Sequence, residues 1–185
     1  QHGVPQDTTV QAIYENTAYF GTSAGLIWGY DISGLDEGKQ PHAVFRFYTA
    51  GDNDASLVAD EEGFLYAAAQ NDRPEHPRTQ AVGQLQKLDP TKPENPIVWT
   101  FQETTSEGAG LYGTPAVLED VVIITSASGR LIGLDRATGA LVRNPDGVQC
   151  GSMVVWRPSA PRSDLVVIAA AGTADLLVAD EAATV

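Results

Sequence analysis

The residues of this sequence that could do chemistry are chiefly aspartates. Two acidic clusters, Asp52-Asn53-Asp54 and Asp60-Glu61-Glu62-Gly63, flank a short apolar run. Oxygen-rich loops of this kind can hold calcium, which takes about six to eight oxygen ligands. Their spacing does not follow the DxDxDG loop pattern, so a solvated acidic loop is the default, and Asp52, Asp54 and Asp60 are the weak candidates should a metal bind at all. His2, His42 and His76 lie in polar stretches without metal-ligand spacing to one another and read as solvated. Cys150 is the one cysteine, so the chain makes no internal disulfide, and no neighbouring His or Lys in sequence would activate its thiol. No GxSxG or other nucleophile motif accompanies the many serines. Catalytic residues are therefore assigned to none of these positions, and no cofactor is expected from them.

A second set of aspartates is periodic. Gly25 to Asp31 (GLIWGYD), Gly83 to Asp89 (GQLQKLD) and Gly129 to Asp135 (GRLIGLD) share one frame, and Ala174 to Asp180 (ADLLVAD) repeats it with Ala in place of Gly. The anchors at 25, 83, 129 and 174 are 58, 46 and 45 residues apart. Before each stands a β-rich apolar run, as in Val121-Val122-Ile123-Ile124-Thr125. Each unit thus reads as a strand, a tight turn and a second strand. A structural role for the closing Asp suffices: a carboxylate at a strand end accepts N–H bonds from the following turn and fixes it. Gly139, just after Asp135, is expected at positive φ. The longer first interval contains 71–80, a polar stretch with two prolines, expected to be a loop inserted into one hairpin.

Periods of roughly 40–50 residues with about four strands each are the signature of propeller blades. The fold class expected is all-β, a β-propeller of four-stranded antiparallel blades at about 9–48, 55–101, 112–143 and 153–185, the last lacking its outer strand, with helix close to nil. No segment holds an apolar helical period free of Gly and Pro, of which there are 18 and 11. In the outer strand of the first blade Ala43, Phe45 and Phe47 share one face, and Val44, Arg46 and Tyr48 the other.

Composition limits the partners. The net charge of −13, with only Lys39, Lys87 and Lys92 as lysines, argues against nucleic acid, whose phosphates demand clustered cations. An acidic, Lys-poor surface fits a medium of high salt, and ordinary acidic composition accounts for it as well. No run of 18 apolar residues is present, so no membrane span is expected. Because the final blade stops after three strands and residues 1–7 contain Gly3 and Pro5, the chain is expected to be an incomplete ring. It would be part of a longer chain of about seven or eight blades, the favoured case, or half of a ring completed by another copy or subunit.

Gly133-Leu134-Asp135-Arg136-Ala137-Thr138-Gly139-Ala140-Leu141-Val142-Arg143 resembles AxDxxTGxxxW, the repeat signature of quinoprotein-type propellers, with Gly for Ala and Arg for Trp. Lys87-Leu88-Asp89-Pro90-Thr91, running on to Trp99, is similar in a stretched form, and Tyr19 to Gly25 and Val122 to Gly129 resemble the preceding strand and turn. The resemblance covers essentially the whole chain. It implies a PQQ-like propeller whose Trp packs on the neighbouring blade. The family holds pyrroloquinoline quinone dehydrogenases and also quinone-free assembly and secreted proteins. The dehydrogenases resemble one another in a vicinal Cys pair and calcium ligands, and this sequence has no such pair. The reading is a non-catalytic extracytoplasmic binding or assembly module whose partners are another protein or the remaining blades. A fragment of a quinone- and calcium-dependent dehydrogenase is one alternative. A carbohydrate- or polymer-associated propeller, with contacts from residues such as Tyr112, is the other. Trp28 and Trp156 read as packing residues rather than stacking platforms.

Overall fold

The computed structural model of the chain describes residues 8–53, 55–103, 110–111, 113–126, 131–143, 153–155, 166–170 and 173–178. Asp54, Tyr112, Gly129, Cys150, Trp156 and Asp180 lie outside them, as do His2 and the turn at 127–129. Four antiparallel sheets account for nearly all of the secondary structure. Sheet 1 holds β1 (Thr8–Tyr14), β2 (Thr17–Thr22), β3 (Leu26–Asp31) and β4 (His42–Tyr48) in sequential order. Sheet 2 holds β5 (Val58–Ala59), β6 (Leu65–Ala68), β7 (Leu85–Leu88) and β8 (Ile97–Phe101). Sheet 3 holds β9 (Ala116–Val117), β10 (Val121–Thr125), β11 (Leu131–Asp135) and β12 (Leu141–Arg143). Sheet 4 has three strands, β13 (Met153–Val155), β14 (Val166–Ala170) and β15 (Thr173–Val178). This is the propeller architecture, and among the described residues the sheets do not close into a ring.

The hairpins follow from the repeat. Two repeat aspartates stand opposite the first residue of the preceding strand, Asp31 with Thr17 and Asp135 with Val121, and Asp89 follows Leu88, which pairs with the first residue of β6, Leu65. A central strand packed on both faces loses the in/out alternation, and in β6 all four residues are buried. Leu65 and Ala67 face sheet 1, joining Tyr19, Ile27, Phe45 and Phe47 in one core, while Tyr66 and Ala68 face sheet 3 and join Val122, Ile124, Ile132 and Leu134 in a second. Each fully buried Leu or Ile in these seams contributes about 1.5–3 kcal/mol, so the seams, not single sheets, carry the stability. In β4, Phe45 and Phe47 are buried and Val44 and Arg46 exposed. Ala43 is exposed too, because the register slips between Gly29 and Tyr30 at that end of the sheet.

Three local expectations are corrected. Residues 71–80 do not form a loop throughout: a short helix, α1 (Pro77–Val82), occupies the second half. Pro77 starts it with a pre-set φ, His76 caps it by accepting the Arg78 N–H at Nδ1 (3.1 Å), and Gly83 ends it at φ +65°. With a single 3-10 turn at Leu35–Glu37 it is the helical content of the described residues. The inner strands of sheets 2 and 3 have two residues each and begin at Val58 and Ala116, later than the blade bounds at 55 and 112. Pro115 has no N–H to give a ladder, and Ser56 donates its N–H to Thr114 Oγ1 (3.2 Å) instead of to a strand. β15 begins at Thr173, so it already includes Ala174, where the repeat frame places a turn.

Candidate functional site

The repeat aspartates lie where the third strand of a sheet turns toward the fourth. Asp31 Oδ1 accepts the Ser33 N–H at 2.7 Å, Asp89 Oδ1 the Thr91 N–H at 3.0 Å, and Asp135 Oδ1 the Thr138 N–H at 2.7 Å. The Thr91 and Thr138 hydroxyls donate to the same oxygens. These bonds favour the ionised carboxylate and hold all three groups below the usual carboxylate pKa. The turn N–H of Ser33 is the main cause at Asp31, the Lys92 ammonium at Asp89 and the Thr138 hydroxyl at Asp135. The turns are fixed by their own carboxylates.

One turn goes further. Arg136, the residue after the repeat Asp of sheet 3, reaches across the seam into sheet 2 with every N–H engaged. Its Nε donates to the Tyr66 hydroxyl (3.3 Å), Nη1 to the Leu118 and Glu119 carbonyls (3.1 and 3.2 Å), and Nη2 to Asp60 Oδ2 (3.0 Å) and Glu61 Oε1 (2.9 Å). Asp60 is equally committed: Oδ1 accepts the N–H groups of Glu62 and Phe64, and Oδ2 accepts the Tyr66 hydroxyl and Arg136. Its side chain is fully buried. Burial pushes the Tyr66 hydroxyl well above its usual pKa, so it remains a donor to Asp60. The Arg136 carbonyl in turn accepts Trp99 Nε1 (3.0 Å) and Lys87 Nζ (3.3 Å). Lys87 is buried over the Phe64 ring at 4.3 Å, and desolvation draws its pKa down. Gly139 completes the joint: at φ +72° it lies so close to Trp99 that a Cβ there would come within 2.7 Å of the indole. A turn from one sheet is thereby locked to a carboxylate, a phenol and an indole from the next.

At the other end of the sheets the anchor Gly25 has φ +78°, and its carbonyl accepts the Thr49 hydroxyl (3.0 Å), which also meets Asn53. Asn53 Nδ2 donates to the Thr22 carbonyl (3.2 Å). Asp52 is here too, its N–H bonded to Asp72 Oδ1 (3.1 Å) and its carbonyl to the Gln70 N–H (2.8 Å). Helix α1 fastens sheet 2 to sheet 1: Arg78 Nε donates to the Tyr48 carbonyl (2.8 Å), and its guanidinium lies 4.9 Å from the Phe47 ring centre. Gly83, another anchor, caps this helix instead of forming a tight turn.

Of the weak calcium candidates, Asp52 lies beyond Ala68 at the end of β6 and Asp60 before Leu65 at its start, while Asp54 falls outside the described residues. Among the described residues no three His, Cys, Asp or Glu side chains are grouped for a metal. His42 approaches Asp31 at 3.9 Å and His76 caps α1. Sequence reasoning missed Arg136, Tyr66 and Lys87. The one available signal was the match between Asp60-Glu61-Glu62-Gly63 and the Asp-to-Gly turns of the repeat, which marks Asp60 as a turn former.

The comparisons agree with this architecture. The model of a PQQ-like repeat family, described as outer membrane protein assembly factor BamB, matches residues 5–144. Comparison with curated proteins finds no match. Among solved structures, BamB from Moraxella catarrhalis is 17% identical with a TM-score of 0.61, over 91% of this chain and 43% of that one. The computationally designed Ika4 protein is 16% identical with a TM-score of 0.63, over 97% and 95% of the two chains. A europium-containing methanol dehydrogenase is 15% identical with a TM-score of 0.53, over 76% and 26%. At these identities the likeness is one of fold, and the chain spans less than half the length of the BamB structure. With the family model matched over most of its length and its sheets joined as blades, the chain belongs to the PQQ-like repeat propeller family described as outer membrane protein assembly factor BamB.

Proposed function

We propose that this chain is a non-catalytic segment of a PQQ-like propeller, acting as a binding or assembly module in an extracytoplasmic protein. Its partners would be another protein or further blades of the same propeller. The observation that supports it is the commitment of the Asp60–Arg136 joint. Asp60 Oδ2, three of the guanidinium N–H groups and the Trp99 N–H are spent on the seam, while Asp60 Oδ1 and the other two guanidinium N–H groups hold the adjoining turns of their own sheets. A quinone site of the dehydrogenase kind needs carboxylates free for calcium and an open aromatic face for the ring system. Three of the described residues do not fit that group: Asp60 is saturated, Trp99 is closed by Gly139, and Trp28 lies beneath the Arg46 guanidinium at 5.5 Å. The family description, an assembly factor, points the same way. No helix among the described residues is long and apolar enough to cross a membrane.

The test is titration with pyrroloquinoline quinone and calcium, followed by absorbance and by a melting scan. The module reading expects no saturable change in either. A saturable absorbance shift with a raised Tm would establish the dehydrogenase alternative. The carbohydrate alternative rests on Tyr112, outside the described residues, and no other observation favours it.

A further inference from the structure

Helix α1 has six residues and bridges sheet 2 to sheet 1. A helix of that length does not hold itself together, so it persists through what ties its flank and its ends. On the flank, Arg78 bonds the Tyr48 carbonyl and lies over the Phe47 ring, both in β4. At the C-terminal end Gln86 Nε2, from β7, donates to the Val82 and Gly83 carbonyls (3.2 and 2.8 Å). At the N-terminal end the cap is an imidazole. His76 Nδ1 accepts the Arg78 N–H, and the half-buried ring stands edge-on to Tyr48 with centres 6.1 Å apart. A histidine caps in this way only while neutral, with its proton on Nε2, because a protonated imidazole has donors at both nitrogens and no acceptor.

The docked helix also leaves polar atoms unpaired. Thr79 Oγ1 and Gln86 Oε1 are buried without a hydrogen-bond partner among the described residues. Both residues bond the Gly83 peptide, Thr79 through its carbonyl and Gln86 through Nε2, so the two orphans lie at the joint of α1 and β7. Loosening the helix lets solvent reach them, which offsets part of the lost packing.

The groups around His76 set the sign of its response to acid. From α1 the facing charge is Arg78, together with the positive end of the helix, and both oppose a second cation. From β4 the facing group is the Tyr48 phenol. The segment before the helix carries Asp72, paired with Arg73 at 3.5 Å, and the exposed Glu75, while the loop after β4 carries Asp52, whose N–H is bonded to Asp72. The Asp72 charge is shared with Arg73 and that of Glu75 is screened by solvent, so the lost acceptor decides. The docked helix holds the neutral ring better than the charged one, and protons therefore favour the undocked helix. We propose that His76 makes α1 a pH-sensitive latch, docked on sheet 1 while the ring is neutral and released in mild acid, which frees Arg78 from Tyr48 and opens that end of the seam.

Hydrogen exchange of the 185-residue chain at about pH 7.5 and about pH 5.5, which bracket the ordinary titration of histidine, tests the latch once corrected for the intrinsic effect of pH. The repeat aspartates, with their lowered pKa values, stay ionised throughout that range. The Arg78, Gln80 and Gly83 amides are bonded to His76 Nδ1, the His76 carbonyl and the Thr79 carbonyl. They should exchange about fivefold faster at the lower pH, as loss of a cap implies, while the β10 amides keep their protection. His76→Asn, which caps without titrating, should abolish the pH dependence, and His42→Asn should leave it as it is. Should the His76 variant fail to fold, an NMR titration of the unaltered chain replaces it, in which the His76 ring and Arg78 amide signals should move with one midpoint. Equal protection of α1 at both pH values, a pH dependence that survives His76→Asn or is lost in His42→Asn, or an Arg78 amide that does not follow the His76 ring would overturn the proposal.

Discussion

Gly38 and Gly139 share nearly the same left-handed backbone, φ +74° and +72°, but not the same surroundings. A Cβ at Gly38 would meet nothing within 4 Å, whereas one at Gly139 would strike the Trp99 ring. Gly38→Ala should cost only the left-handed penalty of about 1 kcal/mol. Gly139→Ala should add overpacking of about 1–3 kcal/mol, read as the difference in urea midpoints of the two variants. Positive φ at Gly139 was legible from its place after Asp-x-x-Thr; the indole was not, because Trp99 comes from another repeat. The same limit hid Arg136, whose partner Asp60 is 76 residues away in sequence. The repeat carboxylates also set an acid limit. Asp31, Asp89 and Asp135 have folded pKa values below the unfolded value of about 3.9. The stability they give is full above that value and is lost as pH falls through their depressed folded values. Tm should therefore drop steeply below about pH 4. Replacing all three by Asn, which keeps the acceptor oxygen but cannot titrate, should flatten that fall.

Hairpins were the most legible elements, because a glycine anchor, an apolar run and a closing Asp specify register without help from afar. The unit Gly25 to Asp31 contains β3 right after its anchor, and the apolar run Val121 to Thr125 is β10. The inner strands were least legible, since Ala55, Leu57 and Leu111 are buried by the seams without joining a ladder, and apolar sequence alone does not separate the two. Helix α1 was missed because its six residues are too few to show a period, although Pro77 after a capping residue was a start signal. It replaces a tight turn with a clamp on sheet 1 through Arg78. Arg78→Ala should cost about 1–2 kcal/mol, from one charge-assisted bond and one cation–π contact. In hydrogen exchange it should loosen β4 more than β10, and equal loosening of both would show that α1 does not fasten the seam.

On the scale of the whole molecule, Asp60, one of the polar residues that first suggested a ligand site, helps to hold a stack of blades together. The apolar seams give most of the adhesion, and the Asp60–Arg136 joint fixes how sheets 2 and 3 are set against each other. Asp60 decides between the two uses, being both one of the weak calcium candidates of the sequence and the centre of that joint. The direct measurement is the melting temperature and urea stability of the unaltered chain and of Asp60→Asn, each with and without millimolar calcium. The substitution should cost about 3–5 kcal/mol, since it strands the Arg136 charge in a buried site, and calcium should change neither protein. Calcium that raises the Tm of the unaltered chain, with the rise abolished in Asp60→Asn, would show that Asp60 is a metal ligand and contradict the account.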